Sequence, residues 1–196
     1  MLICPLDYRY GRKEMKALFS EESRLSAQLL VEAALARAHA EVGNIPAEAA
    51  EVISAKCRPE IVRLERVKAI EAEMKHDVMA MVTAIAEQCG DAGRYVHLGA
   101  TSNDIVDTAA ALGFKSALDI IERDLDGLII TMSALAFKHR RTVMMGRTHG
   151  QFAIPTTLGF KLAGYISELL RHRQRIMEIR PRVCVGKMSG AIPSAG

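Results

Sequence analysis

No tryptophan occurs in this chain, and aromatic residues make up only 5% of it. Ala, Leu, Ile and Met carry the apolar mass instead, and Ala, Leu and Met favour helix. Cysteine is sparse. Cys4, Cys57, Cys89 and Cys184 are irregularly spaced, with no CxxC pair. That spacing argues against a disulfide framework or a zinc site and leaves reduced thiols in a cytosolic protein as the simple reading. No HExxH or comparable ligand spacing occurs, so no metal is expected. A one-sided charge is also lacking. The 26 Lys and Arg nearly balance the 23 Asp and Glu, for a net +3, and a nucleic-acid partner is not expected without a clustered basic excess. The longest apolar stretch, Val78 to Ala86, is interrupted by Thr83 and bounded by Asp77 and Glu87. It falls far short of the roughly 20 apolar residues that span a bilayer. The opening MLICPLDYRYGRKE lacks the apolar core of a signal peptide.

What remains is ordinary globular material, 196 residues with 49% hydrophobic and 25% charged. Its patterning is helical, with no convincing strand alternation. Leu25, Leu29, Ala33, Ala36 and Ala40 recur on one face and predict a helix from near Glu22 to Val42, with Gly43 as its stop. A short helix is expected after Pro46. Another helical region is expected from near Pro59 to Gln88, broken near His76. After the loop HLGATSND, His97 to Asp104, a long helix is expected to about His139. In it Leu118, Ile121, Leu125, Leu128, Met132 and Leu135 alternate steps of three and four. Arg140 to Pro155 reads as a Gly-containing loop. Beyond it Leu158, Leu162, Tyr165, Leu169, His172, Ile176 and Ile179 repeat the rhythm until Pro181 ends the helix. The tail from Val185, VGKMSGAIPSAG, reads as mobile. Such seams belong to a helical bundle and need further helices to cover them. The fold class is all-α. A small N-terminal helical domain (1–103) precedes the first long helices of an elongated bundle (104–196).

Four segments carry residues suited to chemistry. GRTHGQ, from Gly146 to Gln151, sets His149 among small flexible residues, where an imidazole exchanges protons near neutral pH. Read alone, it is equally a surface loop. HLGATSND places Thr101 and Ser102 just before a helix, whose free N–H groups suit a carboxylate or phosphate. Capping alone would explain those hydroxyls, but not His97. KHDV, from Lys75 to Val78, flanks His76 with opposite charges, or is a solvated helix face. Arg9 and Tyr10 offer a guanidinium fork and a hydroxyl, or form an ordinary N-terminal arm. His39, His139 and His172 sit on helix faces or ends and read as satisfied or interface histidines.

Together, Arg9-Tyr10, KHDV, VHLGATSNDIVDTA (96–109), MGRTHGQ (145–151) and PTTLGFKLAG (155–164) resemble the fumarase/aspartase superfamily of lyases. Their wording is nearest to the branch that splits succinylated purine nucleotides in purine biosynthesis. The rival readings are the carboxymuconate cycloisomerase branch, whose first loop is similar, and a non-catalytic helical scaffold. The resemblance implies a β-elimination that releases fumarate, with no metal or organic cofactor, in a cytoplasmic homotetramer. His149 would be the general acid. Arg9, Tyr10, His76 and His97 would hold the nucleotide end, flanked by Lys75 and Asp77. Thr101, Ser102 and Thr148 would hold the succinyl carboxylates. The superfamily's base-bearing loop, with consecutive serines followed by Met-Pro and Lys, has no counterpart here. The sequence therefore reads as an N-terminal portion and is expected to be inactive alone.

Overall fold

The computed structural model describes residues 10–192. Two compact units emerge, one from residues up to Phe114 together with those from Cys184 onward, the other from Lys115 to Val183. Among the described residues the chain is all-α apart from one two-stranded hairpin.

Among the described residues, the first unit opens on a short helix α1 (Lys13–Leu18), followed by α2 (Glu21–Glu41). The Ser20 side chain caps α2 by accepting from the Ser23 N–H, and Glu21 and Glu22 complement the positive end of the helix dipole. Gly43, at φ 79°, turns the chain after it. Helix α3 (Ala47–Lys56) follows Pro46, whose fixed φ suits the entry. Residues 58–62 form a turn, with both Ile61 and Val62 N–H groups donating to the Arg58 carbonyl. The next helix, α4 (Leu64–Met74), thus starts later than the pattern after Pro59 predicts. Its end matches the expected break. Lys75 is left-handed, and His76 caps α5 (Asp77–Cys89). A 3-10 helix follows over Gly90–Tyr95. A Cβ on Gly93 would stand 2.8 Å from the Ala86 carbonyl oxygen, so only glycine lets this segment lie against α5. Leu29, Ile53, Val62, Met81, Ile85 and Ile105 are the fully buried centre of the core.

Helix α6 (Ser102–Lys138) is a single uninterrupted helix of 37 residues. Its first part belongs to the first unit. There the tail packs against it: the Lys187 N–H donates to Thr108 Oγ1 at 2.9 Å, and the Ser189 and Gly190 N–H groups donate to Asp104. The expectation of a mobile tail therefore fails over residues 185–192. Long-range acceptors in α6 hold a segment whose composition alone reads as loose. Residues 193–196 lie outside the described residues.

In the second unit, the later part of α6 runs antiparallel to α7 (Leu158–Val183). Arg180 pairs with Asp119 at 2.6 Å and Glu122 at 2.8 Å, and Arg173 with Asp126 at 2.7 Å. A Cβ on Gly159 would fall 2.5 Å from the Ala136 carbonyl oxygen, so the start of α7 touches the α6 backbone. Pro181 lies inside α7, two residues before its end, rather than terminating it. So close to the C-terminus the missing N–H costs one hydrogen bond and leaves no further turns to disrupt.

Between these helices the expected loop is instead an antiparallel hairpin, β1 (Val143–Thr148) with β2 (Gln151–Thr157). Both faces are largely exposed, so the period-two alternation that marks a half-buried strand is missing from the sequence. A register shift at Gly146 disturbs it further.

Several of the seam residues of this unit stay open, among them Ile121, Leu128, Leu135, Tyr165 and Ile179. Among the described residues, no helix is long and apolar enough to cross a membrane.

Candidate active site

The KHDV segment forms its site by breaking the chain between two helices. Lys75 ends α4 at φ 61°, and His76 caps α5, its Nδ1 accepting from the Met79 N–H at 3.3 Å. An accepting Nδ1 leaves the proton of a neutral ring on Nε2, a donor suited to an anion. Asp77 Oδ1 accepts from the Val78 N–H at 2.8 Å, and its Oδ2 from Arg24 of α2 at 3.0 Å. These three residues line a cavity of about 530 Å³, together with Arg24, Gln28 and Lys68. Lys68 is paired with Glu21. The walls thus carry both charge signs.

The HLGATSND loop is fixed at several points, and α2 supplies two of them. His97 is left-handed at φ 64°, with its Nδ1 2.6 Å from Glu32 Oε1. His39 Nε2 reaches the Leu98 carbonyl oxygen at 2.8 Å, and Asn44 reaches the other side of its ring at 3.0 Å. Glu32 and His39 stand two turns apart on the same face of α2. Further along, the Thr101 N–H donates to Asp104 Oδ2 at 3.0 Å, the back-reaching half of a capping box. Ser102 is the first residue of α6. Asp104 is fully buried and accepts from three backbone N–H groups, with Lys187 Nζ at 3.9 Å. Burial opposes its ionisation, but the three N–H bonds and the lysine outweigh that and hold its carboxyl below the ordinary range.

The GRTHGQ segment is the tip of the hairpin. His149 and Gly150 are its two loop residues, at φ 51° and 73°, both in the left-handed region that a tight two-residue hairpin turn needs. The His149 side chain is exposed and, among the described residues, has no hydrogen-bond partner. Thr148 ends β1 beside it. Arg147 lies over the Phe152 ring at 5.2 Å and stiffens the tip.

The cavity is lined by Lys75, His76 and Asp77 but not by His97, Thr101 or Ser102, so the first unit holds two separate clusters. Tyr10 stands exposed ahead of α1, and Arg9 lies outside the described residues. One feature links the three segments. Among the described residues, the non-glycine positions with positive φ are Lys75, His97 and His149. Such backbone is sparsely populated and tends to be held at functional sites.

Sequence reasoning missed Glu32, His39, Asp104 and Lys187 as members of the loop's support. For Glu32 a signal was present. It falls on the buried stripe Leu25, Leu29, Ala36 with steps of four, three and four, a carboxylate where the pattern calls for an apolar residue. Among the described residues, no group of His, Cys, Asp or Glu is arranged to hold a metal ion.

A family described as lyase matches residues 8–195. Adenylosuccinate lyase of Pyrococcus horikoshii is 55% identical over 195 residues, all of this chain but 43% of that protein. N-acetyl-S-(2-succino)cysteine lyase of Dickeya dadantii is 46% identical, covering 93% of this chain and 40% of that protein. Among solved structures, the 3-carboxy-cis,cis-muconate lactonizing enzyme of Pseudomonas putida superposes with a TM-score of 0.89 at 41% identity, over 97% of this chain and 44% of that one. This chain thus spans less than half the length of the relatives it matches.

Proposed function

We propose a function from a premise the comparisons supply: the chain belongs to the lyase family and to the fumarase/aspartase superfamily within which its motifs fall. Its activity is that of an adenylosuccinate lyase, which eliminates fumarate from adenylosuccinate and from the related succinyl-carboxamide ribotide. The reaction serves purine biosynthesis in the cytoplasm. A base takes a proton from the succinyl carbon next to the one bearing nitrogen. The C–N bond breaks as a double bond forms, and an acid protonates the departing nitrogen. His149 is that acid. Arg9, Tyr10, Lys75, His76, Asp77 and His97 serve the nucleotide end, and Thr101, Ser102 and Thr148 the succinyl carboxylates. The base is assigned to none of these 196 residues.

The observation that carries this reading is the left-handed backbone at Lys75, His97 and His149, one in each of three family motifs. A structural capping role would not require imidazoles on strained backbone at two of these places.

The same arrangement favours a homotetramer with sites shared between chains. Helix α6 has 37 residues and is uninterrupted, which at the usual helical rise amounts to a length of about 55 Å. Ser102 opens it, and His149 follows its far end in the sequence. A nucleotide is far shorter. Loops of different chains, packed antiparallel along the exposed seams, satisfy both requirements.

The test is turnover by the full-length protein. Adenylosuccinate should yield AMP and fumarate, followed as loss of absorbance. Turnover of an S-succinyl cysteine derivative or of carboxymuconate, with adenylosuccinate untouched, would overturn the assignment.

A further inference from the structure

Glu32 is a carboxylate only 1% exposed, on a helix face otherwise apolar. One oxygen meets His97 Nδ1 at 2.6 Å, while the other, Oε2, is buried with no hydrogen-bond partner among the described residues. Taking a charge out of water is costly unless the charge is paired. If the site needed only a spacer, an apolar residue or a neutral amide would fill it at lower cost. Other ionisable groups of the first unit are engaged elsewhere or uncharged. Cys57, which follows α3, lies near Glu32, and burial pushes its thiol up to about 12, with Cys89 of α5 and Glu32 adding to the rise, so it stays neutral. Arg37 of α2 is turned to Ser54 Oγ at 3.3 Å. His39 is engaged by the Leu98 carbonyl and Asn44. Asp104 of α6 is met by backbone N–H groups and Lys187. The imidazole of His97 is the partner that remains.

We propose that Glu32 is a positioning residue, which holds His97 by its Nδ1–H so that Nε2 is presented to the anionic, phosphate end of the substrate. An imidazolium with Nδ1–H committed to a carboxylate offers Nε2–H as a charged donor. The same contact opposes the strain of the left-handed backbone at residue 97. This inference rests on the lyase reading of the loop. It adds a residue that the elimination itself does not use.

The test uses the full-length enzyme with adenylosuccinate and with its dephosphorylated nucleoside. Glu32→Gln keeps size and removes charge. Losing a hydrogen bond between charged groups should raise KM for the nucleotide by roughly tenfold to a hundredfold. The rate at saturation should stay within about threefold, and the nucleoside should show no added loss. Glu32→Asp should recover part of the nucleotide KM. Nitrogen NMR with ring-labelled histidine should show His97 protonated at Nδ1 in the wild type, and that measurement stands even if Glu32→Gln fails to fold. A wild-type His97 bare at Nδ1 would overturn the proposal. So would Glu32→Gln with wild-type KM while His97→Gln raises it. If His97→Gln itself leaves KM unchanged, the lyase reading of this loop fails instead.

Discussion

The Ser189 N–H donates to Asp104 Oδ1 at 3.0 Å, joining residues 85 positions apart at a carboxylate with no exposed surface. Gly190 and Thr101 donate to the other oxygen. One side chain therefore ties the start of α6, the loop before it and the returning tail.

Asp104→Ala should lower the stability of the full-length protein by about 3 kcal/mol, because three part-buried N–H groups lose a charged, buried acceptor. The pH dependence has a definite sign. The folded-state carboxyl is held below its ordinary value, so its contribution is present above the unfolded value of about 3.9 and is lost as pH falls through the folded one. Denaturant unfolding of wild type and Asp104→Asn should show a full gap at neutral pH that closes in acid. A gap that widens in acid would contradict the assignment.

Gly159→Ala should cost about 1–3 kcal/mol through overpacking. Its Cβ would meet the Ala136 carbonyl oxygen at 2.5 Å and the Arg140 Cα at 2.6 Å. Both are backbone atoms, so no rotamer change relieves the clash. Thermal unfolding of the variant measures this, and an unchanged Tm would mean that α6 and α7 separate freely there.

His149→Gln in the full-length protein should remove nearly all turnover, with the circular dichroism spectrum unchanged, because loss of a general acid commonly costs about a hundredfold or more. His76→Gln should raise KM as well as lower the rate, since its proposed contact is with the substrate's phosphate end. Near-normal turnover by His149→Gln would assign the acid elsewhere.

The 196-residue chain by itself should not cleave adenylosuccinate. It carries the proposed acid and no counterpart of the superfamily's base-bearing loop, and loss of one partner in an acid–base pair leaves little rate. Fumarate release by the purified chain would disprove this.

Mixing offers a check on shared sites. His149→Gln and Ser102→Ala subunits, each inactive alone, should regain activity after being unfolded and refolded together. Recovery requires that one site draw its hairpin and its helix N-terminus from different chains. No recovery, with both variants assembling normally, would favour sites built within one chain.

The helices were legible because their signals are local. Apolar spacing and Gly43 placed α2, Lys75 and His76 marked a break, and the long helix expected after the HLGATSND loop ends within one residue of α6, which itself opens inside that loop at Ser102. The hairpin was not legible, because Val143, Phe152 and Ile154 lie exposed on strands with no buried face to impose alternation. The motif histidines could be named, but not their partners. Glu32 lies 65 positions from His97, and no periodicity reaches across that separation. The order of the tail is hidden from the sequence for the same reason, since its anchors Thr108 and Asp104 stand 79 or more positions away.

At Lys75 and His149 the left-handed backbone sets stability against function. Glycine or asparagine holds a left-handed backbone with less strain than lysine or histidine. A library of this protein screened only for heat resistance should therefore enrich Gly or Asn at 75 and 149, but not at 97, where the change would leave the buried Glu32 carboxylate without its partner. The survivors would tolerate heat better and would have lost two of the groups proposed to meet the substrate. At these two positions the thermally fittest sequence and the catalytically fittest one are different sequences.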